Sequence, residues 1–265
     1  MSGFDYCFST LGCSELNLHE TADLAERRGI ASVELRALSD TIDLIAALTA
    51  EFGTPARFAA FLSERNLRIA ALNTSMRLFG SDSLSEIEPF IDWAEAANIA
   101  YLRIFDGGKK IGPEDLDRSA ALLDNWQAVR QTRGLNVDLM IETHDALSDF
   151  EQLLTFIEQV PAARILWDTH HTWARGSDLK MVWRQIERTV VHLHVKDSMM
   201  DSDGKRRYVL PGRGDFPIVE LLSLLQPNER QIPLSLEWER HWHPQLPPLA
   251  DALKAAHSWW RQGVS

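Results

Sequence analysis

The sequence predicts a single-domain α/β protein, a (β/α)8 barrel over residues 1–265. Three observations predict it. Eight short apolar runs alternate with eight helical stretches, and such alternation with short joints implies parallel strands with crossover helices. Eight units in roughly 250 residues suit a closed barrel better than an open sheet. No linker, low-complexity tract or repeat beyond the βα unit divides the chain.

Each element has its own signal. The aromatic run 4–10 is the first strand, and helix signals over 19–28 stop at Gly29. Residues 31–36 form the second strand, 54–66 a helix and 67–73 the third strand. Residues 85–98 are helical, with acids placed early where the helix dipole favours them, and 101–105 is strand four. A long helix over 115–133 closes at Gly134, before strand five at 137–142. A helix over 148–160 ends at Pro161, and 164–168 is strand six. After a helix at 178–188, strand seven at 190–196 alternates apolar Val191, Leu193 and Val195 with polar His192, His194 and Lys196. A short helix (216–225), strand eight (233–237) and a last helix (249–261) complete the count. Loops 105–114 and 197–215 are longer than ordinary joints. Both follow strands and so lie on the C-terminal face, where barrel enzymes carry their chemistry.

Composition narrows the function. Formal net charge is −11, which argues against nucleic-acid or anionic-membrane partners while leaving room for a basic pocket that takes a small anion. Cys7 and Cys13 read as free thiols of a reducing cytosol. No stretch resembles a signal peptide and no uncharged run reaches the ~18 residues of a membrane span. A cytoplasmic protein is expected. The tryptophans of the last helix, Trp259 and Trp260, suit core and interface, and favour a homo-oligomer.

Four ligand-type side chains fall at the ends of strands five to eight: Glu142, Asp168, His194 and Glu237. The first three are spaced 26 positions apart, about one βα unit, and Glu237 follows 43 later across the long loop. Neighbouring barrel strands bring such positions together. Three carboxylates and an imidazole cannot share a buried site as bare charges, so either one takes a proton or a cation sits among them. Mixed oxygen and nitrogen donors suit Mn²⁺, Zn²⁺, Co²⁺ or Fe²⁺ rather than a thiolate-loving metal.

With Ile141-Glu142, Trp167-Asp168-Thr169-His170-His171, His194-Val195-Lys196-Asp197, Leu210-Pro211-Gly212-Arg213-Gly214-Asp215-Phe216 and Leu236-Glu237-Trp238-Glu239 in this order, the chain resembles the xylose-isomerase-like TIM-barrel superfamily. These are isomerases and epimerases of sugars and sugar phosphates, with inosose-processing relatives. The resemblance implies that Glu142, Asp168, His194 and Glu237 bind one divalent metal, Mn²⁺ ahead of Zn²⁺, Co²⁺ or Mg²⁺. It implies that Glu142 and Glu237 double as the acid/base pair, and that His171, in Asp-x-x-His, faces the substrate. His144 departs from many relatives and reads equally as a substrate contact or a rim residue.

The remaining residues carry two readings each. Lys196 polarises the substrate or pairs with Glu237, or else forms an ion pair with Asp197 or another carboxylate. His192 reads as a hydrogen-bonded interior histidine rather than a fifth ligand. Arg213, Arg206 and Arg207 bind a substrate phosphate or form an exposed basic loop. Gly212 and Gly214 cradle an anion before a helix, or Asp215 simply caps that helix, with Pro217 in its first turn. Glu34, Arg36 and Arg103 face inward as barrel ion pairs first and substrate contacts second, and Asp138 with Arg164, lower down, reads as a structural ion pair inside the barrel. Asn73 reaches towards substrate hydroxyls. Residues 107–110 form a loop without Walker spacing. Trp173, Trp238 and Trp242 lie near the mouth.

The expected activity is isomerisation or epimerisation of a ketose, inosose or sugar phosphate, by proton transfer through a metal-stabilised enediolate. The alternative is dehydration, in which the same intermediate expels a β-hydroxyl. An endonuclease-IV-like DNA repair enzyme and a non-catalytic barrel rank below both. The first needs more ligands and a basic face, and the second needs a lost ligand.

Overall fold

The computed structural model describes residues 4–80, 82–226 and 230–262. Eight parallel strands close into a barrel: β1 (Asp5–Ser9), β2 (Ser32–Leu35), β3 (Arg68–Arg77), β4 (Tyr101–Phe105), β5 (Asp138–Glu142), β6 (Ile165–Asp168), β7 (Val190–Val195) and, last, β10 (Pro233–Leu236), which pairs with both β7 and β1. The antiparallel hairpin β8 (Asp197–Met200) and β9 (Arg206–Val209) stands between β7 and β10.

The helices are α1 (Leu18–Arg28), α2 (Leu44–Phe52), α3 (Pro55–Arg65), α4 (Glu88–Ala96), α5 (Pro113–Arg133), α6 (Phe150–Gln159), α7 (Thr169–Ala174), α8 (Leu179–Ile186), α9 (Ile218–Leu225) and α10 (Leu249–Gln262). Local chemistry sets their ends. In α1, Asn17 and Glu20 cap one another reciprocally, and Gly29 at φ 64° closes the helix in the left-handed region. Thr54 caps α3 ahead of Pro55. On α8, Leu179, Val182, Trp183 and Ile186 form one buried stripe; burying each contributes roughly 1.5–3 kcal/mol.

All eight predicted strands are present. The structure adds α2 and α7, and replaces the loop expected over 197–215 with the β8–β9 hairpin. A small apolar layer of Ala71, Met140 and Leu166 fills the barrel interior low down. Asp138 does not join Arg164 there. It turns outward to the Arg130 guanidinium at 3.0 Å and accepts from Trp126 Nε1 at 2.9 Å, so the expected interior pair does not form. At the first residue of β5 the side chain meets α5, a helix contact that strand alternation does not encode. Both cysteines are free and buried. Trp238 and Trp259 are core residues, and Trp238 donates to Pro247 O at 2.8 Å. Among the described residues no helix is long and apolar enough to cross a membrane.

Candidate metal centre

Above the apolar layer the lumen turns polar. Pairing Asp168 beside His194, and Ser235 beside His194, places the ends of β6, β7 and β10 side by side. Glu142 closes β5 and Glu237 follows β10. These four residues are buried, and one ligand atom from each lies within 4.8 Å of the others. His194 Nδ1 lies 3.3 Å from Glu142 Oε1, 3.3 Å from Glu237 Oε1 and 3.9 Å from Asp168 Oδ2. Glu142 Oε1 and Oε2, Asp168 Oδ2 and His194 Nδ1 have no hydrogen-bond partner among the described residues. Two of them meet a cation, Asp168 Oδ2 the Lys196 ammonium at 2.8 Å and Glu142 Oε2 the Arg103 guanidinium at 3.2 Å. Buried polar atoms are normally satisfied, so Glu142 Oε1 and His194 Nδ1, unpartnered and facing one another's site, mark a place for a ligand.

The support comes from across the barrel. Glu34 of β2 reaches His194 Nε2 at 2.9 Å and His192 Nε2 at 2.9 Å, and Asn73 donates to its carboxylate. Holding the Nε2 proton leaves Nδ1 of His194 as a lone-pair donor aimed into the cluster, the arrangement found behind metal-ligating histidines. His192 is thus the interior histidine expected. Asn73 serves Glu34, and Glu34 takes its barrel pairing from the two histidines, with no arginine within ion-pair distance among the described residues.

Charge fits a divalent cation. Five carboxylates (Glu34, Glu142, Asp168, Glu237, Glu239) share this connected region with Arg36, Arg103 and Lys196, three fixed cations. A 2+ ion balances that deficit with the histidines neutral. Without one, Glu237 and Glu34 drive His194 to hold a proton far above its ordinary range, against the opposing effect of burial. Burial also works against ionisation of Glu142, but the Arg103 guanidinium, Nε 3.2 Å away, holds its pKa down at about 2. Glu237 is likewise kept ionised against burial by His194 and Lys196. Asp168 moves up, chiefly through burial.

Lys196 is buried among Asp168 Oδ2 at 2.8 Å, Glu239 Oε1 at 2.6 Å and Glu237 Oε2. It joins Glu237, as one reading held, and the further carboxylates Asp168 and Glu239, as the other held, while among the described residues it makes no ion pair with Asp197. Asp197 instead accepts from the backbone N–H groups of Gly212 and Gly214, both at 2.9 Å. The glycine turn therefore cradles an anion of the chain itself. A side chain at Gly214 would fall on Asp197 Oδ1 and Ser198 O. Asp215 does not cap α9; Pro217 occupies the cap position.

The mouth above holds His171, whose Nε2 lies 3.7 Å from Asp168 Oδ2 and whose pKa falls to about 3 through burial and Lys196. His144 packs edge-on against it with ring centroids 4.9 Å apart. Burial lowers the His144 pKa, but Glu142 and Asp145 carry it above its ordinary value. Arg213 is exposed on the rim. Arg36, just past β2, is buried, donates to Ser75 Oγ at 3.2 Å, and keeps Nη1 unpartnered. No carboxylate lies within ion-pair distance of it among the described residues, so it too departs from the barrel pairing expected. Sequence reading passed over Glu34 as a histidine support and Glu239 as a lysine partner; inward parity at the end of β2 was the available signal for the first.

The architecture and this cluster define a (β/α)8 barrel with carboxylates and imidazoles gathered at its C-terminal mouth. The chain belongs to the xylose isomerase-like TIM barrel family, whose model matches residues 22–263. Its fold is similar to that of the probable 3-DHS dehydratase AsbF from Bacillus anthracis (TM-score 0.75, 17% identity, 96% of this chain and 99% of that one covered). It is similar to 3-keto-D-glucoside 4-epimerase YcjR from E. coli (0.68, 12%, 97% and 99%) and to an L-ribulose 3-epimerase (0.70, 14%, 98% and 94%). A comparison with curated proteins finds no match.

Proposed function

We propose that this protein is a divalent-metal-dependent isomerase or epimerase of ketoses, inososes or their phosphates, working as one domain with its active site at the C-terminal ends of the strands. The observation that carries the reading is the set of four buried ligand atoms converging from four consecutive ligand-bearing strands, with Glu34 fixing the imidazole behind them. Glu142, Asp168, His194 and Glu237 would hold the ion, Mn²⁺ first. Such an ion acts as a Lewis acid on a carbonyl oxygen and stabilises negative charge developing there.

The protein's own groups do the rest. Glu142 and Glu237 are both held ionised and so are ready to take a proton from the carbon beside the carbonyl. They come from β5 and from the segment after β10, so they flank the site from different sides. Removal by one and return by the other inverts the carbon; return by the same group to the neighbouring carbon gives the 1,2-isomer. Lys196 orients Glu237 by holding Oε2, leaving Oε1 for the site. Arg36, through its free Nη1, and His171 donate to substrate oxygens.

Dehydration is the second reading. It rests on His144, whose raised pKa and place beside His171 suit protonation of a departing hydroxyl. The test is metal analysis of protein purified without chelator, followed by NMR of ketoses and inososes in D₂O. One stoichiometric divalent ion and deuterium at the carbon beside the carbonyl are expected, lost in Glu142→Gln and Glu237→Gln. Protein that takes up no Mn²⁺ or Zn²⁺ would end the reading.

A further inference from the structure

A cavity of about 1040 Å³ opens beside the metal centre. None of the four ligand residues lines it; it reaches the cluster through His171, whose Nε2 lies 3.7 Å from Asp168 Oδ2, and through His144, packed against His171. Its walls carry Arg175, Lys205, Arg206, Arg207 and Arg213, and no aspartate or glutamate lines it. That is unexpected in a chain with 38 acidic and 27 basic residues. Of these cations only Arg207 has an ion-pair partner among the described residues, Asp201.

Arg206 is the best positioned. Its guanidinium lies 4.3 Å from the centroid of the Trp173 ring, and its Nη1 donates to Ser198 Oγ at 3.1 Å. Ser198 Oγ is in turn 2.6 Å from Nε2 of the buried His170. Two residues along the same strand, Tyr208 also lines the cavity and donates to Glu239 at 2.9 Å, the carboxylate that holds Lys196. The strand bearing Arg206 is therefore tied to the metal centre. His170 Nδ1, buried in the same wall, has no hydrogen-bond partner among the described residues. A stacked, anchored guanidinium with no carboxylate is a ready oxyanion receptor, and its fork matches phosphate or carboxylate. A wall of one charge sign over a narrow site also concentrates counter-charged ligands.

We propose that the substrate is an anion: its phosphate or carboxylate lies against Arg206 while its ketone and adjacent hydroxyl reach the metal centre. This rests on the proton-transfer reading above for the second half only. The anion half is tested alone, by calorimetric titration of metal-free protein with inorganic phosphate. Saturable binding is expected, weakened about 10- to 100-fold in Arg206→Gln, the worth of a charged hydrogen bond. Arg206→Lys should restore part of it, and Arg207→Gln should change it less than twofold. Equal phosphate affinity in wild type and Arg206→Gln overturns the proposal.

With Mn²⁺-loaded protein, exchange in D₂O is then compared across matched sets: a neutral ketose, its terminal phosphate and its terminal carboxylate. One anion should exceed the neutral sugar at least tenfold in kcat/KM, through KM, with a KM that rises with salt; the better anion names the group. A neutral sugar exchanged as well as both anions also overturns the proposal. If no sugar exchanges but phosphate binding depends on Arg206, the proton-transfer reading falls and the anion site stands.

Discussion

Replacing Glu34 with glutamine tests the metal centre without touching a ligand. Glu34 is fully buried and its two oxygens receive His192, His194 and Asn73. Glutamine keeps the volume and one acceptor oxygen, but presents an NH₂ group where one histidine N–H was received. His194 then gains by moving its proton from Nε2 to Nδ1, and Nδ1 is the atom that faces Glu142 and Glu237 at 3.3 Å. Loss of such a support costs metal affinity about 10- to 100-fold, or roughly 1.4–2.8 kcal/mol. The assay is Mn²⁺ titration against a competing fluorescent chelator, with circular dichroism to confirm the fold. His194→Gln should lose more than Glu34→Gln, and His192→Gln less, because His192 touches Glu34 but is not among the four converging ligand residues. A folded Glu34→Gln protein with wild-type Mn²⁺ affinity would refute the support role.

Three other outcomes follow from the same geometry. Arg103→Met should destabilise the metal-free protein by about 3–5 kcal/mol in urea, because Glu142 would keep its burial and lose its guanidinium; stability equal to wild type would show that the pair is inert. Gly214→Ala should cost about 2–3 kcal/mol, since the added methyl meets Asp197 and Ser198 backbone with nowhere to go; an unchanged Tm would refute the tight turn. Burial raises Asp106 from 3.8 to about 7, against the pull of backbone donors from Asp145, Leu147 and Gly107. A carboxyl raised on folding stabilises fully below its unfolded pKa and loses that contribution as pH climbs to the folded value, ~4 kcal/mol over this window. Wild type should therefore lose stability relative to Asp106→Asn between pH 4 and 7 in EDTA. Parallel curves would sink the assignment.

The barrel was legible because its signals are local. Strand alternation, Gly29, Gly134 and the early acids each speak within a few residues, and all eight strands stand where alternation put them. What was lost also has local causes. Helix α2 is apolar nearly throughout, so it shows no polar face to betray its period. Helix α7 is one and a half turns begun by Asp168 itself, a residue read for its ligand role. The glycine turn was legible as a cradle, but its occupant, Asp197, lies 15 and 17 positions upstream of the N–H groups it receives. The meeting of Glu142, Asp168, His194 and Glu237 followed from strand order alone, because adjacent strands need no long-range knowledge.

Glu34 is different, and it shows what barrel closure adds. It lies 160 positions from His194, on a strand that is not hydrogen-bonded to β7. In a sheet left open between β1 and β10, the four strands β3 to β6 would stand between them. Closure through β1–β10 pairing turns that separation into a span across the lumen, which one glutamate side chain bridges at 2.9 Å. The imidazole thus takes its orientation from the opposite wall, and β10 leads directly into Glu237, so a change that loosens β1–β10 pairing should disturb both the support of His194 and that ligand. Metal affinity is therefore expected to respond to strain at the closing strand pair, where Phe8 pairs with Leu236, and Mn²⁺ titration of a Phe8→Ala protein checks it.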